Sequence, residues 1–443
     1  MCGIAGVVGV SKATELTVVL LHDIQHRAKD YAGIASSDGG VNIFREVGPG
    51  LAAEVFTKEK MDRLHGNDAL GHIRYPTVVD DERCENIQPV VGRYGEMPVA
   101  IAHNGNITNV AALKRSIPDA EFTTSMDTEI ILRLLERRMS GDFTTDLMDT
   151  IGMLKGSFSL GILTPDCLIA VRDRHGNRPL SIAKLNGGYC ISSETCAFPG
   201  VGAKLICDVE PGTMVFIRRD GFDVKRFAEP CEKKCRFEGI YFSHPASRVF
   251  GEGVGRFRIA IGQALEQLFP VPEADLVVGV PDSATFIAIG YAASGRSGTL
   301  FPVITRSHYH VGRTFIAATQ AQRNAEVARK FMFDEGEIAG KTIVVVDDSI
   351  VRLTTMPNIV TMLQQLGAKA IHVRIGSPPI IHPCVYGINT PTRKELAASS
   401  LDIEGMRATM GADSLEFLPL EALKTLSPDP DTFCFACMSG DYW

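Results

Sequence analysis

Short apolar strands separated by turn residues fill the first half of the chain. Segments such as CGIAGVVG, GVNIFREVG and PVAIAHNGNITN are broken by Gly, Asn and Asp, and apolar residues at helical spacing occupy residues 126–139. Short strands of this kind with separate helices between them predict mainly antiparallel pairing. We therefore expect a layered α+β domain.

A different pattern follows the charged stretch EPCEKKCRFEG. The apolar strands DLVVGVP, LFPVIT, KTIVVVDDS and AIHVRIGSP alternate there with helices. That alternation is typical of an α/β domain whose mostly parallel sheet is covered by helices on both faces. The pattern changes near residue 230, so we predict two domains, residues 2–230 and 231–443.

Composition and charge narrow the classes of protein. The 443 residues are 45% hydrophobic and 22% charged, which is ordinary for a globular chain, and the net charge is -7. A general nucleic-acid binder needs clustered basic residues, and no long basic stripe occurs. No apolar span long enough to cross a membrane and no signal-peptide pattern is present. We expect a cytoplasmic protein that binds neither nucleic acid nor membrane.

The second residue, Cys2, offers an unusual nucleophile. A small residue at this position permits removal of Met1, which leaves a free α-amine and a thiol on one residue. Such an amine has a pKa of about 8, so it can accept the thiol proton near neutral pH. A buried structural cysteine in the first strand is the alternative from this residue alone.

Four further segments accompany this cysteine: QHRAKDYAGIA, GHIRYPT, IAHNGNITN and MDTE. Each lies at a turn and is rich in groups that bind polar ligands. Together with Cys2 they resemble the class II glutamine amidotransferase domain, an N-terminal-nucleophile hydrolase with an αββα sandwich. The resemblance implies that Cys2 attacks the carboxamide of glutamine, releases ammonia and leaves a thioester that water hydrolyses.

The resemblance assigns roles to five other residues. Asn104 and Gly105 would donate to the developing oxyanion, the first from its side chain and the second from its backbone. Arg74, helped by Thr77, would bind the α-carboxylate of glutamine, and Asp127 would bind its α-ammonium. Without the family pattern, Arg74 and Asp127 could equally form an ordinary salt bridge or begin a helix.

The first half also departs from the family pattern in a few places. His26 and Arg27 match the family's turn, and we expect both to be structural. Ala28 and Lys29 stand where Gly and Gln are common, and Pro76 where Ser is common. These differences concern the loops around the site and leave the nucleophile in place.

The stretch KTIVVVDDSIVRLTTMPNIV places two carboxylates where a buried strand meets a polar turn. Open α/β sheets bind ligands at this end of their strands. Asp347 and Asp348 suit ribose hydroxyls, while Thr354, Thr355 and the amides that begin the next helix suit a 5′-phosphate. A capped helix start after an acidic turn is the alternative from chemistry alone.

Over nearly the whole chain the pattern resembles the amidophosphoribosyltransferase family, in its iron-sulfur-containing type. The segments that carry this resemblance include GVPDSATFIAIGYA, YGINTPTRKEL and CFACMSGDYW. It implies a type I phosphoribosyltransferase domain that uses phosphoribosyl pyrophosphate and ammonia, the latter delivered from Cys2 through an internal channel. Ser283, Asp347 and Asp348 would surround Mg2+, and Lys330 would come from a loop that closes over the substrate. A homotetramer or homodimer is expected from the family.

Departures are more numerous in the second half of the chain. They are Leu353 in place of a glycine, Met356-Pro357 in place of polar residues, His244 and Ala246 in place of Arg and Asp, and Ala328 in place of a basic residue. Leucine is disfavoured at position 353 if the turn requires a positive φ. Two alternative hypotheses follow: a paralogue whose glutaminase delivers ammonia to another acceptor, and a non-catalytic nucleotide sensor or scaffold.

The cysteines suggest a metal group. The chain has 11, an odd number that argues against a disulfide framework. Four of them, Cys235, Cys384, Cys434 and Cys437, match the family's cluster ligands, which implies a 4Fe-4S cluster, with structural Zn2+ as the alternative. We expect four others to be small core residues, namely Cys167, Cys190, Cys196 and Cys207.

Overall fold

Two antiparallel sheets form the first half of the molecule in the computed structural model, which describes residues 2–75, 84–307, 330–390 and 392–443. The seven-stranded sheet has the order β11-β9-β10-β1-β4-β2-β3. Its strands are β1 (Gly3–Val8), β2 (Tyr31–Ser37), β3 (Ile43–Pro49), β4 (Asp68–Arg74), β9 (Ser181–Leu185), β10 (Gly188–Ser192) and β11 (Lys204–Asp208). The six-stranded sheet has the order β13-β12-β8-β7-β6-β5. Its strands are β5 (Val90–Tyr94), β6 (Met97–Ile107), β7 (Gly156–Thr164), β8 (Cys167–Arg172), β12 (Thr213–Ile217) and β13 (Phe222–Arg226).

Helices cover the outer faces of these two sheets. They are α1 (Ala13–Asp23), α2 (Ala52–Val55), α3 (Lys58–Met61), α4 (Val110–Ser116), α5 (Glu129–Arg138) and α6 (Phe143–Gly152). Single helical turns occur at Gln25–Arg27, Cys84–Asn86, Thr195–Ala197 and Pro199–Val201. Side chains such as Ile4 and Leu168 meet between the sheets, α1 packs on the first sheet, and α5 and α6 pack on the second. The layers are therefore helix, sheet, sheet, helix, and the predicted αββα sandwich is confirmed.

A parallel sheet organises the second half. Its order is β18-β17-β21-β22-β23, and its strands are β17 (Leu276–Gly279), β18 (Thr299–Leu300), β21 (Thr342–Asp347), β22 (Ala370–Ile375) and β23 (Ser414–Phe417). The helices of this half are α7 (Val254–Leu268), α8 (Thr285–Ala292), α9 (Met356–Gln365), α10 (Ile403–Met410), α11 (Leu420–Thr425) and α12 (Ala436–Ser439). Single helical turns occur at Glu238–Phe242, Glu335–Glu337, Arg393–Glu395, Ala397–Ser399 and Pro430–Thr432.

Strand β21 shows why this sheet is apolar throughout. Its side chains alternate between two cores, with Ile343 and Val345 in one and Val344 and Val346 in the other. Successive side chains of a strand point to opposite faces, so a strand buried on both faces needs an unbroken apolar run. The predicted parallel α/β domain is therefore confirmed.

Three two-stranded pairs complete the second half. They are β14 (Lys234–Cys235) with β24 (Phe433–Cys434), β15 (Arg248–Val249) with β16 (Glu252–Gly253), and β19 (Ile304–Arg306) with β20 (Phe331–Phe333). The predicted boundary near residue 230 falls between β13 and β14, and it stays a prediction. Among the described residues, no helix combines the length and the apolar character that crossing a bilayer would require.

One expectation about the core is wrong. Cys167 and Cys190 are buried and Cys196 is half-buried, but Cys207 is exposed. The reason is topological, because Cys207 lies in β11, the edge strand of the first sheet. The apolar run around it looks like a buried strand in the sequence, yet nothing in the run reveals that the strand stands at an edge.

Candidate active sites and a cysteine-lined cavity

Cys2 lies immediately before β1 and next to Asn104 of β6. Its backbone N–H points to the side-chain oxygen of Asn104 at 3.4 Å. Its carbonyl accepts a hydrogen bond of 2.9 Å from Nε of Arg27. The side chain is half-buried, so the thiol is held at a defined place that a small substrate can still reach.

Asn104, which contacts the backbone of Cys2, and the following residue, Gly105, are the two predicted donors. The side-chain nitrogen of Asn104 is buried and has no hydrogen-bond partner within the part of the chain that the structure describes. Gly105 has φ +151°, and a Cβ there would lie 2.1 Å from the carbonyl oxygen of Ser157, so glycine is required. A buried donor left without a partner costs about 1–3 kcal/mol, which a developing oxyanion would offset.

Asp127 is paired with a buried histidine that the sequence did not reveal. One carboxylate oxygen lies 3.3 Å from Nδ1 of His103, and the other accepts from the backbone N–H of Ile107 at 2.9 Å. Burial disfavours the charged form of both groups, but the attraction between the two side chains is stronger. The pKa of His103 is therefore raised and the pKa of Asp127 is lowered. The pair therefore places a carboxylate near Cys2 with its charge retained.

Arg74 ends β4 as a buried side chain. It donates to the carbonyl of Asn86 at 2.5 Å and lies over the ring of Tyr31, with 5.9 Å between the guanidinium carbon and the ring centroid. Thr77, its expected helper, lies outside the described residues. The roles assigned to Arg74, Thr77 and Asp127 in holding glutamine stay predictions.

A buried ion network joins the two halves of the chain directly behind Cys2. Arg27 pairs with Glu194 at 2.6 Å and with Glu238 at 2.8 Å, and all three side chains are fully buried. Arg178, also fully buried, reaches the same Glu238 at 3.3 Å. We expected Arg27 to be structural; the structure adds that it donates to the backbone carbonyl of Cys2. The sequence gives little sign of this network, because Glu194 and Glu238 are single acidic residues within the short stretches SSET and FEG.

Two of the departures lie on this network. The backbone N–H of His244 donates to Glu194 at 2.7 Å, and its ring lies 5.4 Å from that of His26. The backbone N–H of Ala246 points to the His244 ring at 3.1 Å. His244 therefore contributes to the contact between the halves through its backbone, which any residue type can supply, whereas Ala246 bonds within its own half.

The two aspartates of the second half lie where the parallel sheet ends. Asp347 is the last residue of β21, Asp348 follows it, and both are buried. Burial raises the pKa of both carboxyl groups, and the charge of Asp348 raises that of Asp347 further. Ser283 bonds to Asp348, and Lys330 is near enough to Asp347 to oppose the rise. The structure thus brings these four predicted site residues together.

The turn after the aspartates contains a strained leucine. Leu353 has φ +53°, the left-handed conformation that favours glycine. Its side chain is half-buried and packs against the core under β21, so it points into the protein interior. Thr354 and Thr355 follow, and the Thr355 side chain makes no capping bond within the described residues. Helix α9 then begins at Met356, with Pro357 in its first turn. Proline is compatible with that position because it needs no N–H there. Ala328 lies outside the described residues.

Four cysteines of the second half line one small cavity. Cys235, Cys384, Cys434 and Cys437 come from three separate segments, and Arg178 and Tyr386 line the same cavity. Burial raises the pKa of Cys235 to about 11 and also raises those of Cys434 and Cys437. Neither at this cavity nor elsewhere in the described ranges does the structure arrange three or more His, Cys, Asp or Glu side chains to hold a metal ion.

Comparison with known proteins defines the class first. Residues 74–199 match the glutamine amidotransferase domain family. Solved structures cover the entire chain: a glutamine phosphoribosylpyrophosphate amidotransferase from B. subtilis, complexed with ADP and GMP, has a TM-score of 0.92 at 40% identity, and the chain covers 97% of it. A structure described as the allosteric regulatory enzyme of purine biosynthesis has a TM-score of 0.93 at 40% identity over 96% of its length. The class is thus an N-terminal-nucleophile glutamine amidotransferase joined to a phosphoribosyltransferase domain.

Curated relatives give the family. The chain is 41% identical to amidophosphoribosyltransferase from Bacillus subtilis, with 100% of the chain and 94% of the relative aligned. It is 41% identical to chloroplastic amidophosphoribosyltransferase 2 of Arabidopsis thaliana, covering 79% of it, and 38% identical to the Archaeoglobus fulgidus enzyme, covering 98%. The chain belongs to the amidophosphoribosyltransferase family, the glutamine-dependent enzymes of purine biosynthesis. The predicted enzyme class is confirmed, and the paralogue with another ammonia acceptor is not favoured.

Proposed function

We propose that the chain converts glutamine, phosphoribosyl pyrophosphate and water into phosphoribosylamine, pyrophosphate and glutamate with the side chains placed above. The observation that carries the glutaminase assignment is the buried amide nitrogen of Asn104 beside Cys2, which has no partner among the described residues. A donor kept buried without a partner is costly unless a reaction intermediate uses it.

In the first half-reaction the Cys2 sulfur bonds to the carboxamide carbon of glutamine. The α-amine exposed by removal of Met1 takes the thiol proton and returns it to the leaving nitrogen, so ammonia departs as the C–N bond breaks. Asn104 and Gly105 donate to the oxyanion, each contributing about 3 kcal/mol. Water then cleaves the thioester to glutamate. Arg74 and Thr77 hold the α-carboxylate. Asp127 holds the α-ammonium and stays paired with His103.

In the second half-reaction ammonia attacks the anomeric carbon of phosphoribosyl pyrophosphate, the bond to pyrophosphate breaks, and the nitrogen loses a proton. Asp347 and Asp348 face the ribose hydroxyls at the end of β21. The amides that begin α9, with Thr354 and Thr355, bind the 5′-phosphate. Lys330 lies beside Asp347, where it can pair with the diphosphate.

A magnesium ion fits the carboxyl pair. Two adjacent buried carboxyls with raised pKa values carry a cost that a bound cation relieves. Ser283, Asp347 and Asp348 would hold Mg2+, directly or through water. When bound, Mg2+ neutralises the charge that develops on the departing pyrophosphate.

A 4Fe-4S cluster is the group that we propose for the cysteine-lined cavity, with structural Zn2+ as the alternative, because thiolates select either of them. Cys235, Cys384, Cys434 and Cys437 line one cavity, and Arg178 beside them favours the thiolate forms. The cluster would join β14 and β24 to the segment around Cys384, which gives it a structural role.

We also propose a cytoplasmic location and a homotetramer or homodimer. All ten cysteines whose side chains the structure describes are free thiols, which suits a reducing compartment. The oligomeric proposal rests on the family resemblance alone, and sedimentation velocity of the purified enzyme tests it.

The residue assignments are tested by comparing two nitrogen sources. The variant Cys2→Ala is expected to lose pyrophosphate release with glutamine and to retain it with added ammonia, because only the first route needs the thiol. Asn104→Ala should lower glutamine hydrolysis by about 100- to 1,000-fold and spare the ammonia reaction. Cys207→Ala, an exposed cysteine, is the control. Glutamine-dependent activity in Cys2→Ala, or no pyrophosphate from either nitrogen source in the wild type, would contradict the proposal.

A further inference from the structure

A segment of the second half, residues 384–388, is seated on the strand end that carries the proposed oxyanion donors. The side chain of Asn106 donates to the carbonyl of Val385 at 2.8 Å. The next carbonyl, of Tyr386, accepts from the hydroxyl of Ser157 at 2.6 Å. Asn106 directly follows Gly105 in β6, and Ser157 pairs with Asn106 across the ladder. The segment is therefore bound to both strands that frame Gly105.

A buried charge strengthens this attachment. Arg178 donates to the same Tyr386 carbonyl from Nη2 at 2.6 Å and from Nε at 3.1 Å. Its guanidinium is fully buried, and hydrogen bonds from charged groups contribute about 1.5–3 kcal/mol. Tyr386 is also tied to its own half, because its backbone N–H lies 3.4 Å from the sulfur of Cys384. The carbonyl one residue before Gly387 is thus fixed from both sides.

Gly387 brings the two backbones into direct contact. Its φ is +106°, and a Cβ there would lie 2.9 Å from the carbonyl carbon and oxygen of Gly105 and 3.0 Å from its Cα. On the other side, Gly105 is confined by the carbonyl of Ser157, 2.1 Å from where a Cβ would stand. Gly105 is therefore held between β7 and the 384–388 segment, with no room for its peptide to shift.

We propose that Tyr386 and Gly387 are positioning residues for glutamine hydrolysis: they touch no substrate, but they fix the backbone of Gly105, whose amide is proposed to donate to the oxyanion. The inference rests on the proposed roles of Asn104 and Gly105. Donors stabilise an oxyanion only if they are aligned beforehand, and a displacement of about 1 Å can cost about 100-fold in rate. The second half of the chain thus completes the catalytic site of the first.

The variant Gly387→Ala tests this by pushing a methyl group against Gly105. We expect kcat for glutamine hydrolysis to fall by about 100-fold with little change in KM, because the displaced donors act on the transition state. Pyrophosphate release with added ammonia should remain. Alkylation of Cys2 by iodoacetamide, followed by mass spectrometry of the N-terminal peptide, should keep its wild-type rate, since that reaction forms no oxyanion.

Two further variants separate positioning from general damage. Gly141→Ala has a similar backbone strain, with φ +98°, no atom of a described residue lies within 4 Å of the added Cβ, and it should keep wild-type hydrolysis. Asn106→Ala removes one tie without adding bulk and should lower kcat by about 3- to 10-fold, which serves if Gly387→Ala does not fold. Wild-type kcat in both test variants, equal losses with glutamine and ammonia, or an equal loss in Gly141→Ala would overturn the inference. If the proposed function itself were wrong, the wild type would release no pyrophosphate with either nitrogen source.

Discussion

At the scale of single residues, the clearest conflict between sequence and structure is Leu353. A leucine in the left-handed conformation costs about 1–2 kcal/mol relative to one in a helical or extended conformation. Burying its side chain against the core under β21 offsets part of that cost. Because the Leu353 side chain packs against the core, it does not stand in the way of the phosphate that the proposed function places at this turn. The departure from the family's glycine is therefore compatible with the family's reaction.

Comparing two substitutions at this position tests the conformation. Leu353→Ala loses the packing and keeps the strain, so it should lower the free energy of unfolding by about 1–2 kcal/mol. Leu353→Gly loses the same packing but relieves the strain, so it should be about 1 kcal/mol more stable than Leu353→Ala. Urea denaturation of both variants measures the difference. If Leu353→Ala were the more stable, residue 353 would not have a positive φ.

At the scale of elements, the buried ions behind Cys2 unite strands and turns from both halves of the chain. Arg27 follows α1, Glu194 follows β10, and Glu238 opens a turn after β14. Removing one partner of a buried ion pair costs about 3–5 kcal/mol, because the other charge remains buried and unpaired. The network therefore fixes the geometry of the contact between the halves and makes any single charge loss expensive.

This network predicts a loss of stability in acid. Burial would raise the pKa of Glu194, but Arg27 and His26 outweigh it, so the folded-state pKa is lowered. A lowered carboxyl pKa contributes stability above the unfolded value of about 4.3, and that contribution is lost as pH falls towards the folded value. We expect the free energy of unfolding to decrease below about pH 4.5, with Glu194 adding up to about 1.4 kcal/mol per pH unit.

Denaturation midpoints between pH 7 and pH 3.5 measure this effect. Glu194→Gln should be less stable than the wild type at pH 7 and should show a shallower decline in acid. Glu421→Gln, which alters an exposed pair with Lys424, should decline as the wild type does. An equally steep decline in Glu194→Gln and the wild type would show that Glu194 does not carry the acid sensitivity.

At the scale of the whole molecule, periodicity and motifs predicted most of the architecture. Short strands broken by turn residues predicted an antiparallel α+β domain, and the αββα sandwich followed from the family resemblance. The apolar run in β21 predicted the parallel sheet, because a strand buried on both faces is apolar at consecutive residues. Cys2, Asn104 and Gly105 could be predicted as site residues because each lies within a short sequence motif, and the structure places Asn104 against the backbone of Cys2. His103, Glu194, Glu238 and the contact of Gly387 with Gly105 were not found. These depend on pairings across 24 to 282 positions of sequence, and single charged or glycine residues carry no local sign of such partners.

The four cysteines give the last prediction, which concerns how the second half is held together. Cys235 and Cys434 lie side by side in the β14 and β24 pair, Cys437 follows in α12, and Cys384 belongs to the segment that supports Gly105. A cluster bound to all four would link these segments through bonds stronger than the short strand pair provides. Protein purified without oxygen should therefore contain iron and sulfide and absorb broadly in the visible range, whereas Cys434→Ser should contain neither. Cys434→Ser should also hydrolyse glutamine more slowly, because the segment around Cys384 loses an anchor. Cys207→Ser, a change at an exposed thiol, should keep the iron and the rate. Zinc in place of iron in the wild type, or full iron content in Cys434→Ser, would contradict the assignment.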